Sequence, residues 1–331
     1  MRVAIISTPH VPTPPRGYGA SELIAGLVAE GLHRRGHQVR LFACAGSTAA
    51  VEECRTFREI ETAQTFDQRE LIHVGHALRE AADCDIIHNH CVSVGPAFAH
   101  FVDRPFLTTL HYLHPIVHSF PDAAYVAVSD HQKQSLPRLN VVGRVYNGID
   151  LREFPLNVER DDYLIFLGRF HPNKGADIAI SVAERLGRRL IIAAPAPPDD
   201  KRDWFEQCIR PRLSESIEWI GPVEGQEKAK LLGRAAATLL PLRWDEPFGL
   251  VMIESMACGT PPIAIRRGAA PEIIVDGISG WLVDDAAQMA SAVERAQQID
   301  PFICRRHVEV NFTADRMVDA YITLYEGMKT T

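Results

Sequence analysis

The chain has 331 residues, 46% hydrophobic and 23% charged, with a formal net charge of −7; this fits about two globular domains with sizeable cores. The acidic balance gives no electrostatic reason to bind nucleic acid or an anionic membrane. Seven cysteines (Cys44, Cys54, Cys84, Cys91, Cys208, Cys258, Cys304) form no CxxC pair, arguing against a disulfide framework or zinc knuckle, and VAIIS after Met1–Arg2 is too short for a signal peptide, so a cytoplasmic location is expected.

In chain order, RVAIIS, QVRLFA, CDIIHNH, PFLTTLH and AAYVAVS are short apolar runs rich in β-branched residues, each followed by a turn or helix-like segment. Such runs read as strands of a parallel sheet covered on both faces. Between the first two, SELIAGLVAEGLHRRGH has apolar residues at helical spacing, with Ser21 as an expected N-cap and Gly36 as a stop. The pattern repeats as YLIFLGR, RLIIAAP, IEWIGP, ATLLPLR and PPIAI. Two doubly wound, Rossmann-like α/β domains follow, 1–150 and 151–331, with the boundary in NGIDLREFPLNVERDD and the last helix free to pack back on the first domain.

Ligands of such sheets bind at the carboxyl ends of the strands. After the first strand, TPHVPTPPRGYGASE carries Gly17 and Gly19 roughly ten residues beyond the strand, too far for a dinucleotide fingerprint. The glycines either offer backbone N–H groups to a phosphate at a helix start or only turn the chain. His88, His90, His111, His114 and His118 cluster at strand ends without a zinc-ligand spacing, so no metal site is expected; His111 reads as a cleft-facing hydrogen-bond donor, with a satisfied core histidine as the alternative that spacing does not decide. In FLGRFHPNKGAD, Arg169 and Lys174 offer a planar fork and a flexible ammonium, a suitable pair for a diphosphate. A structural ion pair is the plainer reading, and only Asp177 is nearby in sequence to serve it.

In RWDEPFGLVMIESMACGTPPIAI, Glu246 precedes Pro247 and is held out of helical geometry. Phe248, Gly249 and Leu250 then open a helix, whose first N–H groups lack intrahelical partners. Glu254 follows about 7.5 Å along the axis from Gly249. A sugar, a diphosphate and a ribose fit that order of loop carboxylate, helix amides and helix carboxylate.

This constellation resembles the retaining glycosyltransferases of family 4, which share the GT-B fold of two Rossmann-like domains facing across a cleft. PPRGYGASE, RRGHQVRLFA, DIIHNH, TTLHY, YNGID, GRFHPNKG and DEPFGLVMIESMACGTPPIA carry the resemblance over nearly the whole chain, the last as a Glu-x7-Glu motif. It implies a metal-independent hexosyltransferase using a nucleotide diphosphate sugar, UDP- or GDP-linked, as substrate and no cofactor. The first domain would face an acceptor saccharide or small hydroxyl compound, and the second would bind the nucleotide sugar. Arg169 and Lys174 would hold the donor pyrophosphate, Glu254 the ribose and Glu246 the donor sugar. The amides around Phe248, Gly249 and Leu250 would meet sugar and phosphate oxygens, and His111 would approach the transferred sugar. Where the family often has two adjacent glycines in the first loop, this chain has Gly19 followed by Ala20, whose Cβ restricts the backbone. No carboxylate nucleophile is evident in the strand-end segments of the first domain, which favours a front-face route to retention. A nucleotide-sugar epimerase of the same fold and a non-catalytic sugar-binding protein are the alternatives. No basic amphipathic helix for membrane docking is seen.

Overall fold

The computed structural model describes residues 1–57 and 63–329. In it β1 (Arg2–Ile6), β2 (Gln38–Phe42), β3 (Glu53–Arg55), β4 (Ile86–Asn89), β5 (Phe106–Thr109), β6 (Ala124–Ala127) and β7 (Val141–Arg144) form one sheet, ordered β3-β2-β1-β4-β5-β6-β7. A second sheet contains β8 (Tyr163–Leu167), β9 (Arg189–Ala193), β10 (Ile217–Gly221), β11 (Ala237–Leu240), β12 (Pro262–Ile265) and β13 (Trp281–Val283), ordered β10-β9-β8-β11-β12-β13. The named strands pair in parallel throughout.

The helices are α1 (Ala20–Arg34), α2 (Phe66–Glu80), α3 (Asp130–Ser135), α4 (Ala176–Leu186), α5 (Arg202–Cys208) and α6 (Gly225–Arg234). They continue as α7 (Leu250–Ala257), α8 (Ala270–Ile273), α9 (Ala286–Glu294), α10 (Pro301–Asn311) and α11 (Ala314–Lys329). The chain divides into two compact units: Met1–Gly148 together with α11, and Ile149–Thr313.

The apolar runs form the central strands because both sheet faces are covered by helices. Val3, Ala4, Ile5 and Ile6 of β1 are fully buried, as are Leu164 and Ile165 of β8. Three strands have no counterpart among the apolar runs: β3, β7 and β13. β3 and β7 are edge strands with polar or alternately exposed residues, and β13 is only three residues long. Ser21 is not the N-cap of the first helix. Gly19 takes that place without a side-chain cap, and the helix stops before Gly36, whose φ is 81°. By contrast α2 begins with a capping box, in which Thr65 accepts from the Gln68 amide and the Gln68 side chain reaches back.

Within the first unit α1 lies against α11, and the contact is close enough that a Cβ on Gly31 would collide with the Val318 side chain. Helix propensity alone favours alanine over glycine by about 1 kcal/mol, so packing decides this position. Gly31→Ala should lower stability by about 1–3 kcal/mol as overpacking does, measured by urea denaturation, and Val318→Ala in the same chain should recover part of the loss. An unchanged midpoint in Gly31→Ala would show that the two helices do not meet there.

Candidate active site

In the second unit the strand order reverses between β8 and β11, so the loops leaving these two strands flank the crevice where open α/β sheets bind ligands. The loop after β8 is anchored by Phe170, which is fully buried and packs edge-on against Phe205 and Trp219. Exposed Arg169 precedes it. His171 then accepts from the Asn173 amide at 3.1 Å and starts the short turn that carries Lys174. Gly175 ends the turn at φ 77°, where a Cβ would collide with the Pro241 carbonyl oxygen just beyond β11. The turn therefore lies flat on the neighbouring strand's exit.

Arg243 stitches the two loops. Its amide donates to Asn173 O at 2.8 Å, and its guanidinium forks onto Asp177 at 2.9 and 2.6 Å while also donating to Pro172 O at 3.1 Å. Lys174 is thereby brought to Glu246, with Nζ donating to Oε2 at 2.6 Å, and to the Trp244 ring, 5.1 Å from its centroid. Glu246 is fixed in turn by the loop after β12. Ala269 N–H donates to its carbonyl at 3.0 Å, and Gly268, at φ 58°, leaves no room for a Cβ against the Glu246 backbone.

Beyond Pro247, Phe248 is buried and meets Phe312 edge-on, and Gly249 caps α7 from the left-handed region. A Cβ on Gly249 would collide with the Met252 side chain. Glu254, in the second turn of α7, is 3% exposed, and Lys228 of α6 donates to its Oε1 at 2.8 Å. Lys228 also lies over the Phe154 ring, 5.1 Å from the centroid. Positive potential gathers around the turn after β8: burial first, then the cations Lys201, Arg169 and Lys174, push the His171 imidazole below its usual range, against an opposing pull from Asp200.

In the first unit the strand order reverses between β1 and β4. Gly19 is packed: a Cβ would lie 2.9 Å from both Pro15 Cβ and Val11 Cγ2, and 3.1 Å from Glu22 Oε2. Packing alone demands a glycine here, and a buried carboxylate faces the start of α1. Burial pushes the Glu22 carboxyl up, and Thr8 Oγ1 donates to it. Two residues beyond β5, His111 Nε2 is hydrogen-bonded to His90 Nδ1 at 2.7 Å. The His90 ring lies tilted against His88, ring centroids 4.3 Å apart. His88 is locked at both nitrogens, Nδ1 to Tyr325 Oη and Nε2 to Thr109 Oγ1, each at 2.7 Å, and Thr109 Oγ1 meets Tyr321 Oη at 2.8 Å. Burial pushes the His111 imidazole down to about 4, so the ring is neutral at neutral pH.

Two family models match this chain, one described as Glycosyltransferase Family 4 over residues 22–153 and one as Glycosyl transferases group 1 over residues 161–298. The chain belongs to glycosyltransferase family 4. A glycogen synthase from Mycobacterium tuberculosis is 28% identical over 261 residues, covering 67% of this chain and 62% of that protein. The chain spans 62% to 64% of the length of the first curated relatives it matches. A sucrose-phosphate synthase structure from Thermosynechococcus elongatus matches with a TM-score of 0.83 at 19% identity, covering 100% of this chain and 99% of that one. The Anabaena HepE structure in complex with UDP-glucose matches with a TM-score of 0.77 at 18% identity over 100% of both chains. These likenesses establish the GT-B fold. No helix among the described residues is long and apolar enough to cross a membrane.

Within the second unit of this family 4 glycosyltransferase, the structure brings Lys174, Glu246 and Gly249 together and sets Glu254 further along α7. Two expectations need correction. The ion-pair partner of Lys174 comes from Glu246, distant in sequence, whereas Asp177 is taken by Arg243. α7 begins at Leu250, so Phe248 anchors the loop in the core and does not open the helix. Arg243, Lys228 and Gly268 escape sequence reading because each acts on a residue at least 22 positions away, and no local motif marks them.

The buried histidines set a pH dependence. Burial pushes His73 down to about 4 and His88 to about 3, below the value of about 6.5 expected unfolded. The folded state thus binds fewer protons, so their contribution is complete above about pH 6.5 and is lost as pH falls toward 4, at about 1.4 kcal/mol per unit for each group. Urea midpoints should hold level above about pH 7 and fall steadily between about pH 6 and 4. A midpoint constant across that lower range would contradict the assignment.

Proposed function

We propose that this protein transfers a hexose from a nucleoside diphosphate sugar, UDP- or GDP-linked, to an acceptor hydroxyl, with retention of anomeric configuration and without a metal ion. The observation that carries the reading is the Lys174–Glu246 pair at the adjoining ends of β8 and β11, beside the Gly249-capped start of α7. A cation, a carboxylate and the N-terminus of a helix at one point match the parts of such a donor: diphosphate, sugar hydroxyls and partial negative charge on the phosphate oxygens. The UDP-glucose held by the Anabaena protein of this fold supports a donor of this class.

The roles divide as follows. Arg169 and Lys174 stabilise the leaving diphosphate electrostatically, joined by the first amides of α7. Glu254, with one oxygen occupied by Lys228, accepts from the ribose hydroxyls. Glu246 accepts from the sugar and orients it, and His111, neutral, hydrogen-bonds to the transferred sugar. Without donor, Glu246 neutralises Lys174; a diphosphate supplies Lys174 with another anion and releases Glu246 to the sugar. For retention, the first unit holds two buried carboxylates that the strand-end segments did not reveal, Glu22 and Glu70. Glu22 accepts from Thr8 and one oxygen of Glu70 accepts from Ser93; both carboxylates are carried by helices, not by the strand-end segments, which favours front-face attack over a double displacement.

A thermal-shift screen of UDP, GDP, ADP and TDP and their sugars tests the donor class, because a ligand of the native state raises the melting temperature by mass action. With the nucleotide found, Arg169→Ala and Lys174→Ala should each weaken its binding by about 1.5–3 kcal/mol. Glu246→Ala should leave bare nucleotide binding unchanged or tighter while lowering kcat/KM for transfer about tenfold or more. Glu254→Ala should impair both, and identical profiles for the two glutamate variants would overturn this division.

Because the diphosphate charge is met by side-chain cations and helix amides, transfer should persist in excess EDTA. Loss of activity with chelator and its return with Mn²⁺ or Mg²⁺ would contradict that part of the proposal.

A further inference from the structure

At the carboxyl end of the first unit's sheet, a carboxylate and an imidazole stand together that none of the roles above uses. Glu70, in the second turn of α2, is fully buried. Its Oε2 accepts from both Ser93 N at 3.2 Å and Ser93 Oγ at 2.6 Å, which fixes the carboxylate plane. Its Oε1 has no hydrogen bond among the described residues. Facing it at 3.4 Å is His10 Nε2, in the loop after β1, also buried and without a hydrogen bond among the described residues. The His10 ring lies flat on Phe66, centroids 3.6 Å apart and planes inclined by 14°, and Phe66 is itself half exposed.

A buried carboxylate oxygen without a donor is costly, and the imidazole proton is the donor at hand. A proton on Nε2 would serve that oxygen, and in the neutral ring this tautomer leaves Nδ1 with its lone pair. With Nε2 turned inward and 17% of the side chain in solvent, the ring presents its Nδ1 side outward. Phe66 prevents the ring from tilting away. The result is a fixed hydrogen-bond acceptor at the strand-order reversal of the first unit, where an open α/β sheet binds ligands.

The surroundings select the ligand's charge. Burial first, then the negative charges of Glu70, Asp67 and Glu22 with the nearby Cys91, push the Tyr112 phenol up. An anionic group meets repulsion in such a corner; a neutral hydroxyl does not. The Tyr112 hydroxyl is likewise buried without a hydrogen-bond partner among the described residues.

We propose that His10, oriented by Glu70 and braced by Phe66, receives a hydroxyl of a neutral, polyhydroxylated acceptor, with Nδ1 accepting the hydroxyl hydrogen. This rests on the transferase reading, since it names the acceptor class for the same reaction. It makes the acceptor a free sugar or polyol at this point of contact and disfavours a phosphate ester there.

The test reads the ring directly. In protein labelled with ¹⁵N-histidine, with the His10 signals identified by their loss in His10→Ala, long-range ¹H–¹⁵N spectra at neutral pH should show the Nε2–H tautomer. Glu70→Gln should weaken that preference. Glucose, glycerol or myo-inositol at high millimolar concentration should shift the Nδ1 resonance, and glucose 6-phosphate should shift it less. An Nδ1–H tautomer in the wild type, or an Nδ1 resonance unmoved by all three neutral compounds, overturns the proposal. With the donor known, His10→Ala should leave donor affinity unchanged while kcat/KM for the acceptor falls about tenfold; equal loss of both overturns it. If no nucleotide raises the melting temperature, the donor reading fails on its own, while the spectra still decide whether His10 receives neutral hydroxyls.

Discussion

The second unit's site depends on the fork between Arg243 and Asp177. Parallel strands deliver their loops to one end of a sheet, but loops of different length need a tie to hold side chains within hydrogen-bond reach. Arg243 supplies it through its amide to Asn173, its guanidinium to Asp177 and a further bond to Pro172. A planar guanidinium meeting both carboxylate oxygens fixes angle as well as distance. Lys174 and Glu246 then meet without either loop being rigid by itself, and Gly175 and Gly268 allow backbones to approach where side chains would obstruct.

The same arrangement explains how strongly charged residues coexist at the site. Lys174 is paired with Glu246 and Lys228 with Glu254, each pair only slightly exposed. Desolvating one charge without its partner costs several kcal/mol, whereas a well-made pair recovers most of it. Under the proposed function, glutamates at such positions serve two states: they satisfy the lysines when the protein is empty and would receive hydroxyls when a donor is bound.

Much of the fold was legible because buried parallel strands are nearly continuous apolar runs, as in β1 and β8. β3 and β7 were not, since edge strands need no such pattern, and β13 was too short to show one. At the site, Glu246, Gly249 and Glu254 share one stretch of chain, so spacing alone brought them forward. The partner of Lys174 was hidden because ion pairs across a sheet obey strand order, which the sequence does not display. Ser21 lost the N-cap to Gly19 because the proline-rich loop packs against the helix start and leaves no space for a Cβ at residue 19. His10 and Glu70 fit no motif; only the fold brings the loop after β1 to α2.

The return of α11 to the first unit sets an order in time as well as in space. Tyr321 and Tyr325 close the polar network beneath His111, through Thr109 and His88, more than 200 residues after those partners are laid down. During synthesis from the N-terminus, the first unit emerges with its central histidines unsatisfied and the α1 surface at Gly31 uncovered. The second unit, continuous in the chain, can complete its core first. Maturation of the His111 end of the protein is thus deferred to α11, which leaves the ribosome only after the second unit has been made.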